Sequence, residues 1–287
     1  MTHILKKELG SYFKGMSGYF FGAIMLVFAG IYTVMVNCIM GYPNYEYTIN
    51  NLSFMYLALV PVLTMKTFAD ERRQRTDQLL YSLPLKMSQV VMGKYIALLI
   101  VMLVPTLVIS FYPIVLTPFT EIKYPIVMLN ILAFYMLGAS MIAIGEFIST
   151  LTDSQAVSAG LSFAVFLISY FARDMADYVP GTAFASMLVL AAFGFLLAFF
   201  VYSFTKMIYL AGIFFCVYFC ILELLYINFR SAFEGLFSDI VNSMSIFERF
   251  YVFARGVFDI KSIIYFISII IVFLYLSVMS LEKRRWA

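Results

Sequence analysis

A chain of 287 residues that is 63% hydrophobic and only 12% charged departs from the about 45–50% apolar and about 25% charged make-up of soluble domains. That excludes an ordinary soluble fold, because only a bilayer can take up so much apolar surface. A net charge of +3 is too small to signal a nucleic-acid partner, so where the charges fall matters more than their sum.

In chain order, residues 2–14 come first. Ile4, Leu5, Leu9, Tyr12 and Phe13 approximate one helical face, with Lys6, Lys7, Glu8 and Lys14 elsewhere. This pattern predicts an amphipathic helix over residues 1–15, lying in the membrane interface. The apolar stretch that follows is too long for a signal-peptide core and has no A-x-A site, so it is expected to be a retained span. Gly18 and Gly22 form a GxxxG at its start, a pattern that permits close helix approach but is common in spans.

A spanning helix needs roughly 20 mainly apolar residues. Eight stretches qualify as candidates: 18–39, 52–68, 90–116, 124–148, 156–172, 182–204, 208–227 and 260–281. The third carries Pro105 and Pro113 and is expected to kink, tilt or break. The sixth and seventh predict a tight hairpin over 182–227. Between the second and third lies the most charged stretch, 66–94; its part 66–88 is expected to continue the second span beyond the membrane and to stop at Pro84. Residues 228–259 repeat apolar side chains every three or four positions, predicting amphipathic helices at the opposite surface. No repeat or linker interrupts the chain, so one domain is expected over 1–287.

Lysine and arginine give orientation. With eight spans and the amino terminus inside, 13 of the 19 basic residues fall on the inner side and 6 on the outer. Both termini are then expected in the cytoplasm. The fold class expected is therefore all-α: a polytopic membrane helical bundle of about eight spans.

Chemistry is sparse. The one histidine, His3, rules out histidine-based metal sites and Ser-His-Asp triads. No G-x-x-x-x-G-K-[ST] is present: Gly93-Lys94 is followed by Tyr95, so the chain has no P-loop of its own. Cys38, Cys216 and Cys220 form no CxxC, and Cys216 and Cys220, four apart, are expected to pack in the interior. Two acidic residues stand inside predicted spans, Glu146 near the inner end of the fourth and Glu223 near the outer end of the seventh. Each either reaches the interface or pairs within the bundle, Glu146 with Lys66 or Lys94 and Glu223 with Arg230. The strongest local feature is Asp70, Glu71, Arg72, Arg73, Arg75, Thr76 and Gln78, followed by Leu79, Leu80 and Leu83. The residues alone leave two readings: a solvated loop whose arginines rest on lipid phosphates, or a short helix docking into a cytoplasmic partner.

Four ordered stretches resemble a known family. They are Ile4–Phe13 with Gly18-Tyr19; Asn51–Arg73 with Thr76, Leu79, Leu80, Pro84 and Gly93-Lys94; Ile148–Gln155; and Phe247–Phe250 with Arg255–Asp259 and Leu281–Trp286. Together they are similar to the permeases of type-2 ABC exporters, closest to the gliding-motility-associated branch. The resemblance implies a six-span core to which 182–227 adds a hairpin, and a bacterial cell-membrane location. It implies a cytoplasmic coupling helix made by the 70–83 residues named above, with Asp153 in a second coupling turn. It implies export driven by ATP that a separate ATPase subunit binds with magnesium, no cofactor or enzymatic activity in this chain, and a second permease chain, identical or different. The branch also implies a membrane-anchored extracellular auxiliary subunit. Two departures are visible: the family often has glycine where Arg75 stands and glutamate where Gln78 stands. An ion-coupled secondary transporter, an intramembrane enzyme and a non-conducting scaffold remain as rival classes, and the substrate is not legible.

Overall fold

The computed structural model describes residues 2–76, 86–118, 122–178, 181–205 and 207–285. Among them are thirteen α-helices and no strand. They are α1 (Thr2–Lys14), α2 (Met16–Tyr32), α3 (Glu46–Ser53), α4 (Tyr56–Thr64), α5 (Ala69–Arg73), α6 (Met87–Leu116), α7 (Tyr124–Leu151), α8 (Gln155–Tyr178), α9 (Ala183–Thr205), α10 (Ile208–Asn228), α11 (Leu236–Met244), α12 (Ile246–Ala254) and α13 (Ile260–Arg285). A π-helical turn, Thr33–Ile39, prolongs α2. Among the described residues five helices are long and apolar enough to cross a membrane: Met16–Ile39, Met87–Leu116, Tyr124–Leu151, Gln155–Ala172 and Ile260–Arg285. The chain is an all-α polytopic membrane bundle.

The helices form two compact units. The first comprises Met1–Ile168 and Arg249–Ala287. Here α7 is the central helix: α13, α6, α4 and α3 all pack on it, and α1 and α2 pack on α6. Close approach requires small residues on α7. A Cβ at Gly145 would run into the Thr64 side chain, and one at Gly138 into Met102 and Tyr56. The room left at Gly138 lets Tyr56 stack on Phe134, ring centroids 4.4 Å apart. Such small-residue contacts suit a membrane, where apolar burial alone gives helices no reason to associate.

The second predicted stretch, 52–68, is not one helix. It opens at Phe54 and Met55, between α3 and α4, and again after Thr64. The Ser53 hydroxyl bonds back to the Asn50 carbonyl at 2.6 Å, the amides of Phe54 and Met55 reach back only three residues, and Pro61 supplies no amide. Side-chain competition of this kind tightens and interrupts a helix. The charged α5 is accordingly a separate short helix, not an extension of the second span. In contrast, α6 runs unbroken through Pro105 and Pro113. Next to Pro105, the Thr106 hydroxyl donates to the Met102 carbonyl at 2.9 Å, the kind of local repair that lets proline persist in a membrane helix.

The second unit comprises Ser169–Glu248. In it α9 packs against α10. Gly194 makes room for the Tyr218 ring, whose hydroxyl donates to the Leu190 carbonyl at 3.0 Å. The two helices, α9 and α10, are 23 and 21 residues long, about the roughly 20 residues that a span needs. Cys216 and Cys220 are exposed on α10 rather than packed inside, because the hairpin buries its opposite side. The amphipathic 228–259 region is broken at Ser245 into α11 and α12, where Ser245 Oγ donates to the Ser169 carbonyl at 2.9 Å.

Candidate functional site

At one end of the first unit, α1, α5, the start of α6, the end of α7 and the end of α13 converge. Lys94, on the second turn of α6, is the hub. Its ammonium lies 3.0 Å from Glu8 on α1, 2.9 Å from Glu71 on α5 and 2.7 Å from the Thr67 carbonyl, with the Phe68 ring 5.0 Å away. All three donor hydrogens of the ammonium are thereby used. The side chain is 2% exposed, and a lysine survives such burial only when paired and hydrogen-bonded.

Two further contacts fix α5. Ser149 Oγ, buried on α7, accepts hydrogen bonds from the amides of Phe68 and Ala69, each at 3.1 Å. These amides open α5 and would otherwise be left without partners. In the turn between α7 and α8, Asp153 receives Arg72 at 3.4 Å and Arg284 of α13 at 3.5 Å. Arg72 also donates to the Thr152 carbonyl, and Arg284 to the Leu151 carbonyl, near the end of α7. Positive groups there complement the helix dipole.

The far end of α5 closes in a Schellman motif: the Thr76 amide bonds to the Glu71 carbonyl and the Arg75 amide to the Arg72 carbonyl, both at 2.9 Å. That geometry puts the residue beyond the cap in the left-handed region, and Arg75 has φ of 55°. Glycine adopts this conformation without strain.

Of the residues singled out from sequence, Asp70, Glu71, Arg72, Thr76 and Asp153 therefore come together. Asp70 accepts from the Gln74 amide at 3.2 Å, and Arg73 and Arg75 are exposed on α5 and its cap. Gln78, Leu79, Leu80 and Leu83 lie outside the described residues. Glu146 is fully buried on α7, and neither of its carboxylate oxygens has a hydrogen-bond partner. It therefore neither reaches the interface nor pairs: Lys66 is exposed, and Lys94 takes Glu8 and Glu71 instead. Glu223 is exposed, and Arg230 lies over the Tyr226 ring, so that pair does not form either.

Sequence reasoning missed Glu8, Lys94 and Ser149 as site residues. For Glu8 the signal was its spacing: it stands four before Tyr12, and these two, not Ile4 or Leu9, are the buried residues of α1. Tyr12 donates to the Leu63 carbonyl at 3.4 Å. Burial, reinforced by the Glu8 charge, pushes its hydroxyl pKa above the ordinary value.

Residues 21–286 match the ABC-2 family transporter proteins. The chain belongs to that family. No curated protein matches it. As an ABC-2 permease it is the transmembrane component of an ABC transporter, a component that typically works with an ABC ATPase partner and is generally not itself the ATPase. In this ABC-2 permease the short α5 is held from two sides, by α1 and α6 through Lys94 and by α7 and α13 through Ser149 and Asp153.

Proposed function

We propose that this ABC-2 permease is the pathway-forming subunit of an exporter, driven by ATP hydrolysed on a separate subunit that docks against α5 and the Asp153 turn. The observation that carries the reading is the double anchorage of α5. A push on its exposed Arg73–Thr76 side is transmitted to α1 and α6 through the buried Lys94 pairs, and to α7 through Ser149. A solvated loop needs no such anchorage. On this reading α5 faces the cytoplasm, where the excess of lysine and arginine puts it, with both termini on the same side of a bacterial cell membrane. Two permease chains enclose the pathway. An extracellular auxiliary subunit, as in the gliding-motility branch, meets the face formed by 228–259.

The test is affinity purification of the tagged chain from native membranes in mild detergent, followed by mass spectrometry. A P-loop ATPase in near-equal amount is the expected result, and a second permease or an outer subunit appears with it. Recovery of the chain alone, under conditions that preserve other ABC complexes, overturns the reading. It would favour ion-coupled transport, the one alternative with an observation behind it: the buried, unpaired Glu146.

A further inference from the structure

The hub is one wall of a cavity of about 1030 Å³, bounded by α1, the start of α2, α4 and α5. That is at the upper end of the roughly 300–1,000 Å³ usual for small-molecule sites. Its lining is amphipathic. Lys7 and Lys66 line it, both exposed, and neither has an acidic partner among the described residues. Asp70 and Glu71 of α5 line it as well. Glu71 gives Oε1 to Lys94, but its Oε2 is buried with no hydrogen-bond partner. An orphaned carboxylate oxygen is expensive unless a donor reaches it. The remaining wall is apolar and open: Met16 and Phe20 on α2 and Val62 on α4 are 88%, 59% and 45% exposed. These side chains belong to the apolar segments that run on into the membrane.

We propose that this cavity binds one phospholipid with a zwitterionic headgroup carrying a primary ammonium. Its phosphate faces Lys7 and Lys66, its ammonium faces Asp70 and Glu71, and its acyl chains leave along Phe20 and Val62. The charges select this class. A simple anion would leave Asp70 and the one negative charge of Glu8 and Glu71 that Lys94 does not balance without a cation, and a simple cation would leave the two lysines without an anion. A quaternary choline fits the charge but has no N–H to offer Glu71 Oε2. The level is also right, because α1 is the interfacial helix and Met16 begins the first span, where headgroups lie. The inference needs only that the chain is embedded in a bilayer, and it stands or falls independently of docking by an ATPase.

The full-length chain, reconstituted in nanodiscs containing equal phosphatidylethanolamine and phosphatidylcholine over a phosphatidylglycerol background, is extracted and read by native mass spectrometry. About one phosphatidylethanolamine per chain is expected to survive delipidation, at least tenfold over phosphatidylcholine. Lys66→Glu and Asp70→Asn, both at solvent-reachable positions, are expected to reduce that retention tenfold while the thermal midpoint stays unchanged. Equal retention of the two lipids, or retention unaffected by both substitutions, overturns the proposal. So does displacement of the lipid by soluble glycerophosphoethanolamine at equal concentration, which would make the occupant a free headgroup. Cross-links from position 66 to another polypeptide with no lipid retained would make the cavity a protein-docking site and likewise end it.

Discussion

Lys94 Nζ lies 2.9 Å from Glu71 Oε1 and 3.0 Å from Glu8 Oε1, so one buried ammonium ties α1 and the short α5 to the same turn of α6. Removing one member of such a buried cluster is far worse than removing all of it, because an uncompensated charge remains. Lys94→Met is therefore expected to destabilise the chain by about 3–5 kcal/mol. The triple variant with Glu8→Gln and Glu71→Gln is expected to recover much of the loss. Unfolding in mild detergent, monitored across the single, double and triple variants, checks the non-additivity.

The Arg72–Asp153 pair should behave differently. Asp153 is 79% exposed but the Arg72 side chain only 5%, so water screens the pair from the Asp153 side alone. Arg72→Glu is expected to lower the thermal midpoint and to abolish ATP-dependent transport, and Asp153→Arg in the same chain to restore part of both. Wild-type transport by Arg72→Glu in proteoliposomes with the ATPase would count decisively against α5 as the coupling element.

Ser149 accepts from two buried amides at once. Ser149→Ala leaves both without a partner, at about 1–3 kcal/mol for each unsatisfied group. Ser149→Cys keeps a weak acceptor and should lie between alanine and wild type. Hydrogen exchange of the Phe68 and Ala69 amides reports the contact directly, and unchanged protection in Ser149→Ala would exclude it.

Arg75 offers a test in the stabilising direction. A non-glycine residue in the left-handed region is strained by roughly 1–2 kcal/mol, partly offset when glycine is substituted by the greater freedom it gives the unfolded chain. Arg75→Gly is expected to hold or raise the thermal midpoint, whereas Arg75→Val is expected to lower it. If valine were tolerated as well as glycine, the Schellman cap would not form in solution.

Asp259 caps α13. Its carboxylate accepts from the Ser262 hydroxyl at 2.6 Å and from the Lys261 and Ser262 amides at 3.1 Å each. The Ser262 hydroxyl bond is the main cause that holds its pKa below the ordinary carboxylate value. The folded chain thus favours the ionised form: the stabilisation is present above the unfolded-state pKa and is lost as pH falls through the lower folded-state value. Asp259→Ala is expected to cost roughly 1 kcal/mol at neutral pH, the usual effect of losing an N-cap. The difference between wild type and Asp259→Ala should shrink as the pH is lowered through the acid range, which paired melts will show.

What is local or compositional was legible in the sequence: membrane embedding, the apolar helices, the amphipathic pattern of α1 and the absence of a P-loop. The ordered resemblance also pointed to the permease family, as the match over 21–286 shows. These properties are visible because helical periodicity and span length are read within some twenty residues. Only the tertiary structure decided which polar groups meet. Lys94 finds Glu8 across 86 positions and Ser149 finds Phe68 across 81, separations over which no periodicity reports. The same packing left Glu146 buried without the lysine that sequence offered it. It also split the second stretch at Ser53, where a single hydroxyl competes with the backbone. Pairings of this kind are set by which helix faces close on one another in the bundle, and the linear order of residues does not contain that choice.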